Sequence, residues 1–398
     1  MITVETLDPV AFHIDVLPGL LERPEAAAAI RQLAGGRPMA WQIGDRAFTY
    51  RPVDGRLSVE PGLADDVGLV AELSPEAFAA FVAEVRTAAG LMFAGDLTFE
   101  RGGYGDLIRW EPALRAIFSG RLVYEPTEVD GPLDASHLLP DADGISDHLR
   151  RCGFAHVRSV FSPDEVAALR VEVDRLSGAA RPGDDKSWWA KTGDGEQVLC
   201  RLVYANEGSE LIADLHHDNR IRDLVALSGH ELDCWPDRME GHSVVIKVPG
   251  VVEGLADLPW HQDCGLGGHP WLCPSVAVGI QLEAATTETG QMHFLAGSHG
   301  ATCRPFSDAD LVDLPHVAVT TEAGDVTVHV ADVMHAAPPP TGDTGRRTLY
   351  VTFHNPALFE HVGPGEAYND IVRRQRPDGQ VDPTVLGVGG TAPSVGQG

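Results

Sequence analysis

From about residue 240 to residue 355 the chain is written as short strands punctuated by glycine, proline and Asp/Asn, and no other feature constrains its fold as much. Strands this short bury their apolar faces by stacking in two layers or by closing, which gives a β-sandwich or jelly roll. Ahead of them, SDHLRRCGFAHVRSVFSPDEVAALRVEVDRL supplies a short helix, a turn at Gly153 and a strand. Ser162-Pro163-Asp164-Glu165 is then a capping box that opens a longer amphipathic helix. The expected class is α+β, with a mainly β jelly-roll domain and flanking helices over residues 145–380.

The chain has 398 residues, and at roughly 150 residues per domain two domains are expected. EPTEVDGPLDASHLLPDADG, where prolines, acids and small residues accumulate without a hydrophobic period, reads as a linker over 125–144. Hydrophobic content of 43% and charged content of 22% fit a soluble globular protein. A net charge of -28 repels polyanions, which excludes nucleic acid and anionic membrane as partners. The N-terminus carries acids where a signal peptide needs basic residues, and no apolar stretch reaches the roughly 18 residues of a membrane span. A cytoplasmic location is the expectation. Six cysteines without a C-x-x-C pair indicate neither a zinc knuckle nor a disulfide framework.

Residues 1–124 read as a small α+β module. MAWQIGDRAFTYRPVDGRLSVEPG is a strand meander turning at Asp54-Gly55, and Ser74-Pro75-Glu76 starts a helix with Phe78, Phe81, Val82 and Val85 on one face. A further strand and a last helix follow. This order resembles the sterol carrier protein family over roughly residues 25–120, which implies a lipid-sized tunnel and an apolar substrate. A module with a dry core is the other reading. The Gly-rich tail, 381–398, is assigned no role.

Three His-x-Asp triplets occur: His13 with Asp15, His216 with Asp218, and His261 with Asp263. The first stands ahead of the small module with no second histidine in a related setting. The second lies in a helical stretch, where residues two apart diverge by about 200°, and reads as surface. The third lies in LPWHQDCGLG. In an extended segment positions i and i+2 share a side, so His261 and Asp263 can offer an imidazole nitrogen and a carboxylate oxygen to one ion. Two histidines and one carboxylate on an octahedral face leave three positions open, as in non-haem Fe(II) oxygenases. The third ligand is sought in AGDVTVHVADVMHAAPPPTGDTGRRTLYVTF, where His335 opens a segment before a proline-rich loop and His329 competes with it. Eleven residues beyond His335, Arg346 heads a strand whose polar face carries Thr348, Tyr350 and Thr352; its fork of donors suits a carboxylate. Arg347 is the rival and faces the other way.

Over about residues 142–360 the chain resembles the phytanoyl-CoA dioxygenase family of Fe(II)/2-oxoglutarate oxygenases. GFAHVRSVFSPDEVAALR, IKVPG, PWHQD, ETGQMHFLAGSH and DVMH through RRTL follow in order. AGSH stands where the family has PGSH, which touches no proposed ligand. The resemblance implies His261, Asp263 and His335 as iron ligands and Arg346 as partner of the distal carboxylate of 2-oxoglutarate. It also implies consumption of O2 with release of succinate and CO2. Related halogenases have a small residue at the aspartate position, so Asp263 implies hydroxylation, with desaturation or epoxidation as variants. Lys247 is either a solvated lysine or a contact to co-substrate or substrate. Trp188, Trp189, Trp260 and Trp271 wall the substrate pocket or belong to the core. His299 shapes a turn. The competing function is a lipid-binding or scaffold protein with a silent jelly roll.

Overall fold

The computed structural model describes residues 7–125, 129–253, 258–263, 275–303, 311, 314–360, 363 and 370. Trp271 and the tail 381–398 lie outside them. The described residues form two compact units, one from those up to Glu125 together with Gly300–Cys303, the other from the remaining described residues. Among the described residues no helix is long and apolar enough to cross a membrane.

In the N-terminal unit Met39–Ile43, Arg46–Val53 and Arg56–Pro61 form the meander expected, and Leu69–Leu73 and Leu97–Arg101 complete a five-stranded sheet. Leu69–Leu73 runs parallel to Met39–Ile43, and the other pairings are antiparallel. The helix Pro75–Val82 starts where its sequence dictates, with the Ser74 side chain accepting from the amide of Ala77. Phe12, Trp41, Phe78, Phe81 and Phe118 are buried and touch at ring separations of 5.2–6.5 Å. Such mutual edge contacts are those of a filled core. Ala301–Thr302 joins this unit as a parallel partner of Leu122–Val123, a pairing between segments 180 residues apart that no local pattern announces.

The second unit contains a nine-stranded sheet in the order Val251–Glu253, Ser187–Thr192, Gln197–Leu202, Ser243–Lys247, Arg346–Phe353, Val276–Gln281, Val326–Val330, Phe154–Arg158, Ser136–Leu138. A four-stranded antiparallel sheet, Leu258–His261, His335–Ala337, Met292–Leu295, His316–Val319, lies against it. Phe154 of the large sheet stacks on Phe294 of the small one at 4.4 Å, and the Tyr350 hydroxyl donates to Met292 Sδ across the same gap. This is the jelly roll expected. Ser136–Leu138, inside the stretch read as linker, is instead an ordered edge strand parallel to Phe154–Arg158.

The other face of the large sheet is covered by helices. Leu349, Val351 and Phe353 pack with Val276, Val278 and Ile280 and with Leu149, Val166 and Leu169 from helices Ala142–Cys152 and Pro163–Ala179. Each such side chain contributes about 1.5–3 kcal/mol on burial. The Ser162–Glu165 capping box forms as its sequence requires. Gly153 ends the preceding helix at φ 82°, and a Cβ there would lie 2.7 Å from His299 Nδ1. Glycine is therefore demanded twice, by conformation and by space.

Candidate active site

The face of the large sheet turned toward the small one carries the polar residues. Strand register puts Arg346, Thr348 and Tyr350 beside Lys247, Val245 and Ser243 on one flank and Gln281 and Gly279 on the other. Thr327 and His329 continue the row on Val326–Val330. The strand Arg346–Phe353 alternates as the sequence indicated, yet both of its faces are covered, because it lies mid-sheet with helices on one side and the second sheet on the other.

His261 and His335 are register partners at the adjoining edges of two small-sheet strands, and Asp263 follows two residues after His261. Their donor atoms all lie within 4.8 Å of one another. His261 Nε2 is 3.4 Å and His335 Nε2 3.6 Å from Asp263 Oδ1. Each ring is oriented by its own backbone: His261 Nδ1 donates to the Pro259 carbonyl at 2.6 Å, and His335 Nδ1 to that of Val333 at 3.0 Å. Both Nε2 atoms are thereby turned toward the carboxylate, the orientation that metal-binding imidazoles require.

The electrostatics agree. Burial, and behind it the neighbouring His261, holds His335 down to about 3, so it is neutral near pH 7. Lost hydration is the largest single influence on Asp263 and pushes its carboxyl up. With 42% of the side chain still exposed, the combined pull of His335, His261 and His329 outweighs it and holds the group well below the usual carboxylate range. Two imidazole nitrogens and one carboxylate oxygen drawn together in this way fit a divalent ion such as Fe(II).

His329, read as a competitor of His335, lies beside it. Its Nε2 lies 3.5 Å from Asp263 Oδ2, the other carboxylate oxygen, and its ring is 4.8 Å from that of His335. Its place on the inner face follows from strand alternation, which the sequence displayed but which alone could not choose between the two histidines.

Arg346 is 3% exposed. Its Nε and Nη2 donate to the Gly290 carbonyl at 3.0 and 2.7 Å, and Nη1 to Thr348 Oγ1 at 2.6 Å. Thr348 Oγ1 in turn donates to Gln281 Oε1. Of the five N–H donors of a guanidinium, one on each terminal nitrogen remains after these bonds. Among the described residues no carboxylate forms an ion pair with it, since Glu283 is taken by Arg347 and Arg170. Burial lowers Arg346 from its ordinary value, but a guanidinium stays charged. Arg347 points to the helical side and binds Glu283 and Asp174, which rules it out as the inner cation.

Lys247 is not solvated: it is 1% exposed and donates to the Ala337 carbonyl, two residues beyond His335. Directly before Arg346, a Cβ on Gly345 would fall 1.8 Å from the Lys247 carbonyl oxygen, so only glycine lets these strands meet there.

The tryptophans separate. Trp188 pairs with Arg201 and shares its inward side, with the guanidinium 5.8 Å from the ring. Trp189, one residue on, turns to the helical face, packs on the aliphatic core and donates to Ser187 Oγ; strand alternation forbids it the same pocket. Trp260 meets His293 edge-on at 6.4 Å, on the side of the small sheet away from Phe294, whose ring lies 5.9 Å from His335. Neither Trp189 nor Trp260 walls the cluster.

The sequence profile of the phytanoyl-CoA dioxygenase family matches residues 149–348. The chain is 26% identical to a methylphosphonate hydroxylase of Gimesia maris over 256 residues, 61% of this chain and 90% of that protein. Among solved structures it is similar to AviO1 from Streptomyces viridochromogenes Tue57, with 25% identity, a TM-score of 0.45 and coverage of 55% of this chain and 96% of that one. EctD from S. alaskensis, crystallised with 2-oxoglutarate and 5-hydroxyectoine, is 20% identical with a TM-score of 0.45, covering 59% of this chain and 84% of its own. Two histidines and one carboxylate brought together in a jelly roll are the donor set found in non-haem Fe(II) oxygenases as a class. Within that class the chain belongs to the phytanoyl-CoA dioxygenase family. It is an oxidoreductase whose cofactors are Fe(II), 2-oxoglutarate and O2.

Proposed function

We propose that the chain hydroxylates an aliphatic C–H bond of a small, largely apolar metabolite of the terpenoid, sterol, polyketide or acyl type. His261, Asp263 and His335 hold the iron, and Arg346 holds 2-oxoglutarate. The observation that carries this reading is the approach of two oriented imidazole Nε2 atoms and one carboxylate to within a few ångströms of one another.

When bound, iron with 2-oxoglutarate and O2 supplies the oxidant, yields succinate and CO2, and leaves one oxygen atom on the substrate carbon. The protein's role is to bind and orient. The Pro259 and Val333 carbonyls hold the imidazoles in orientation, so no ring has to turn as the ion enters. His329 holds the second oxygen of Asp263, which keeps the carboxylate from rotating away. Arg346 turns its two spare donors to the distal carboxylate of the co-substrate, and Lys247, its register partner, adds a second buried positive charge on the same face. Phe294, Met292 and Trp188 give the inner faces apolar surface, which favours an apolar substrate and keeps water from the reacting carbon.

The test is oxygen-dependent succinate release by the iron-loaded chain, screened over apolar metabolites with methylphosphonate as a polar comparator. Stimulation by an apolar compound, with a hydroxylated product, supports the reading. Stimulation by methylphosphonate alone overturns the substrate class and leaves the chemistry standing.

A further inference from the structure

A second cluster of donors lies elsewhere in the jelly-roll unit. By sequence His216 reads as a surface residue, because its neighbour Asp218 cannot share an ion with it. Asp218 does turn away, to cap the helix Asn219–Ala226 and pair with Arg220. His216 turns inward instead, at the end of the short 3-10 turn Asp214–His217. There it meets His242, fully buried directly before strand Ser243–Lys247, and Cys234, which follows the bridge between Asp233 and His354. One donor atom from each of the three lies within 4.8 Å of the others.

His216 Nδ1 and His242 Nε2 are 3.2 Å apart. Two imidazole nitrogens bound at about 2.0–2.1 Å to one tetrahedral zinc ion stand roughly 3.3 Å apart, so the rings already have the spacing of co-ligands. The same separation serves a plain hydrogen bond. The third partner weighs against that alternative, because a thiol beside two imidazoles is the donor set of a borderline-soft cation. Burial, helped by His216, holds His242 down to about 4, so its ring is neutral. Burial pushes the Cys234 thiol up to about 12, so an entering ion must displace its proton.

We propose that His216, Cys234 and His242 form a second metal site, separate from the oxygenase centre, that takes Zn2+ with water completing a tetrahedron. The ion fastens the turn Asp214–His217 and the irregular segment around Cys234 to the start of the strand that ends in Lys247. Its role is to brace the nine-stranded sheet from outside the oxygenase centre.

Co2+ is the probe. The full chain, stripped with chelator and loaded with Co2+, is expected to show a thiolate-to-cobalt charge-transfer band in the near ultraviolet, which the nitrogen and oxygen donors of the oxygenase centre cannot produce. Zn2+ should bleach it. Cys234→Ser, nearly isosteric and retaining every other cysteine, should abolish the band and bind one equivalent of zinc fewer than the wild type, as should His242→Ala; His261→Ala should keep the band. Zn2+ should also raise the thermal midpoint of the wild type more than that of Cys234→Ser. A wild type without the band, a band that survives Cys234→Ser, or equal zinc protection of both chains would overturn the site.

Discussion

Replacing Arg346 with glutamine isolates the co-substrate anchor from the metal. The buried guanidinium spends three donors on Gly290 and Thr348 and, among the described residues, keeps one on each terminal nitrogen. Two charge-assisted bonds at about 1.5–3 kcal/mol each give roughly 3–6 kcal/mol of gross interaction with the ligand. Glutamine retains one neutral donor and offsets a fraction of this, leaving a loss of about 3 kcal/mol, or roughly one hundredfold in Kd. The folded state should be little affected, since the variant also removes a buried charge that lacks a carboxylate partner among the described residues. The assay is anaerobic titration of 2-oxoglutarate into iron-loaded chain, with iron content measured separately. An affinity within threefold of the wild type at unchanged iron content would refute the assignment, and so would loss of iron together with the co-substrate.

Three further outcomes follow from the packing. His13 is buried against Phe48, donates from Nδ1 to the Pro9 carbonyl, accepts at Nε2 from the Tyr50 hydroxyl, and is lowered to about 4 by burial. The unfolded chain therefore takes up a proton near 6.5 that the folded one refuses. Stability from this residue is complete above that pH and shrinks as pH falls toward 4; between pH 7 and pH 5 the loss is about 2 kcal/mol. Urea unfolding at both values should show this component in the wild type and not in His13→Gln, and identical pH slopes would contradict it. Trp188→Ala should change substrate kcat/KM while the Kd of 2-oxoglutarate holds, whereas Trp189→Ala should cost roughly 3 kcal/mol of stability with substrate preference unchanged; the reverse pattern in kinetics and thermal melts would mean the strand faces are misassigned. Gly345→Ala must push its strand away from the Lys247 carbonyl, so a loss of about 1–3 kcal/mol together with weakened 2-oxoglutarate binding is expected, and an unperturbed melt would count against the close approach.

What the sequence disclosed was local or periodic. The Ser162–Glu165 capping box, the turn at Gly153 and the facing of Arg346 away from Arg347 are consequences of spacing within one element, and each is in place. His261 and Asp263 do come together, but not through the extended alternation read from the sequence: the strand Leu258–His261 ends at the histidine and Asp263 lies beyond it. That His329 reaches Asp263 as well was beyond such reasoning, because alternation fixes a face and leaves its opposite number open. The tryptophans show the same limit: composition groups Trp188 with Trp189, and strand alternation divides them. His216 escaped for another reason. Its partners lie 18 and 26 residues ahead, across a segment without a period, so no i+2, i+4 or C-x-x-C rule could join them. The parallel pairing of Ala301–Thr302 with Leu122–Val123 is equally nonlocal.

The most direct test of the central claim is the anaerobic visible spectrum of the chain with Fe(II) and 2-oxoglutarate, recorded for the wild type and for His335→Ala. If His261, Asp263 and His335 hold one ferrous ion with positions to spare, a weak charge-transfer band will appear in the wild type when both are present, and it will vanish in the variant along with the iron. A band of equal strength in His335→Ala, or iron-loaded wild type that gives none, would contradict the account.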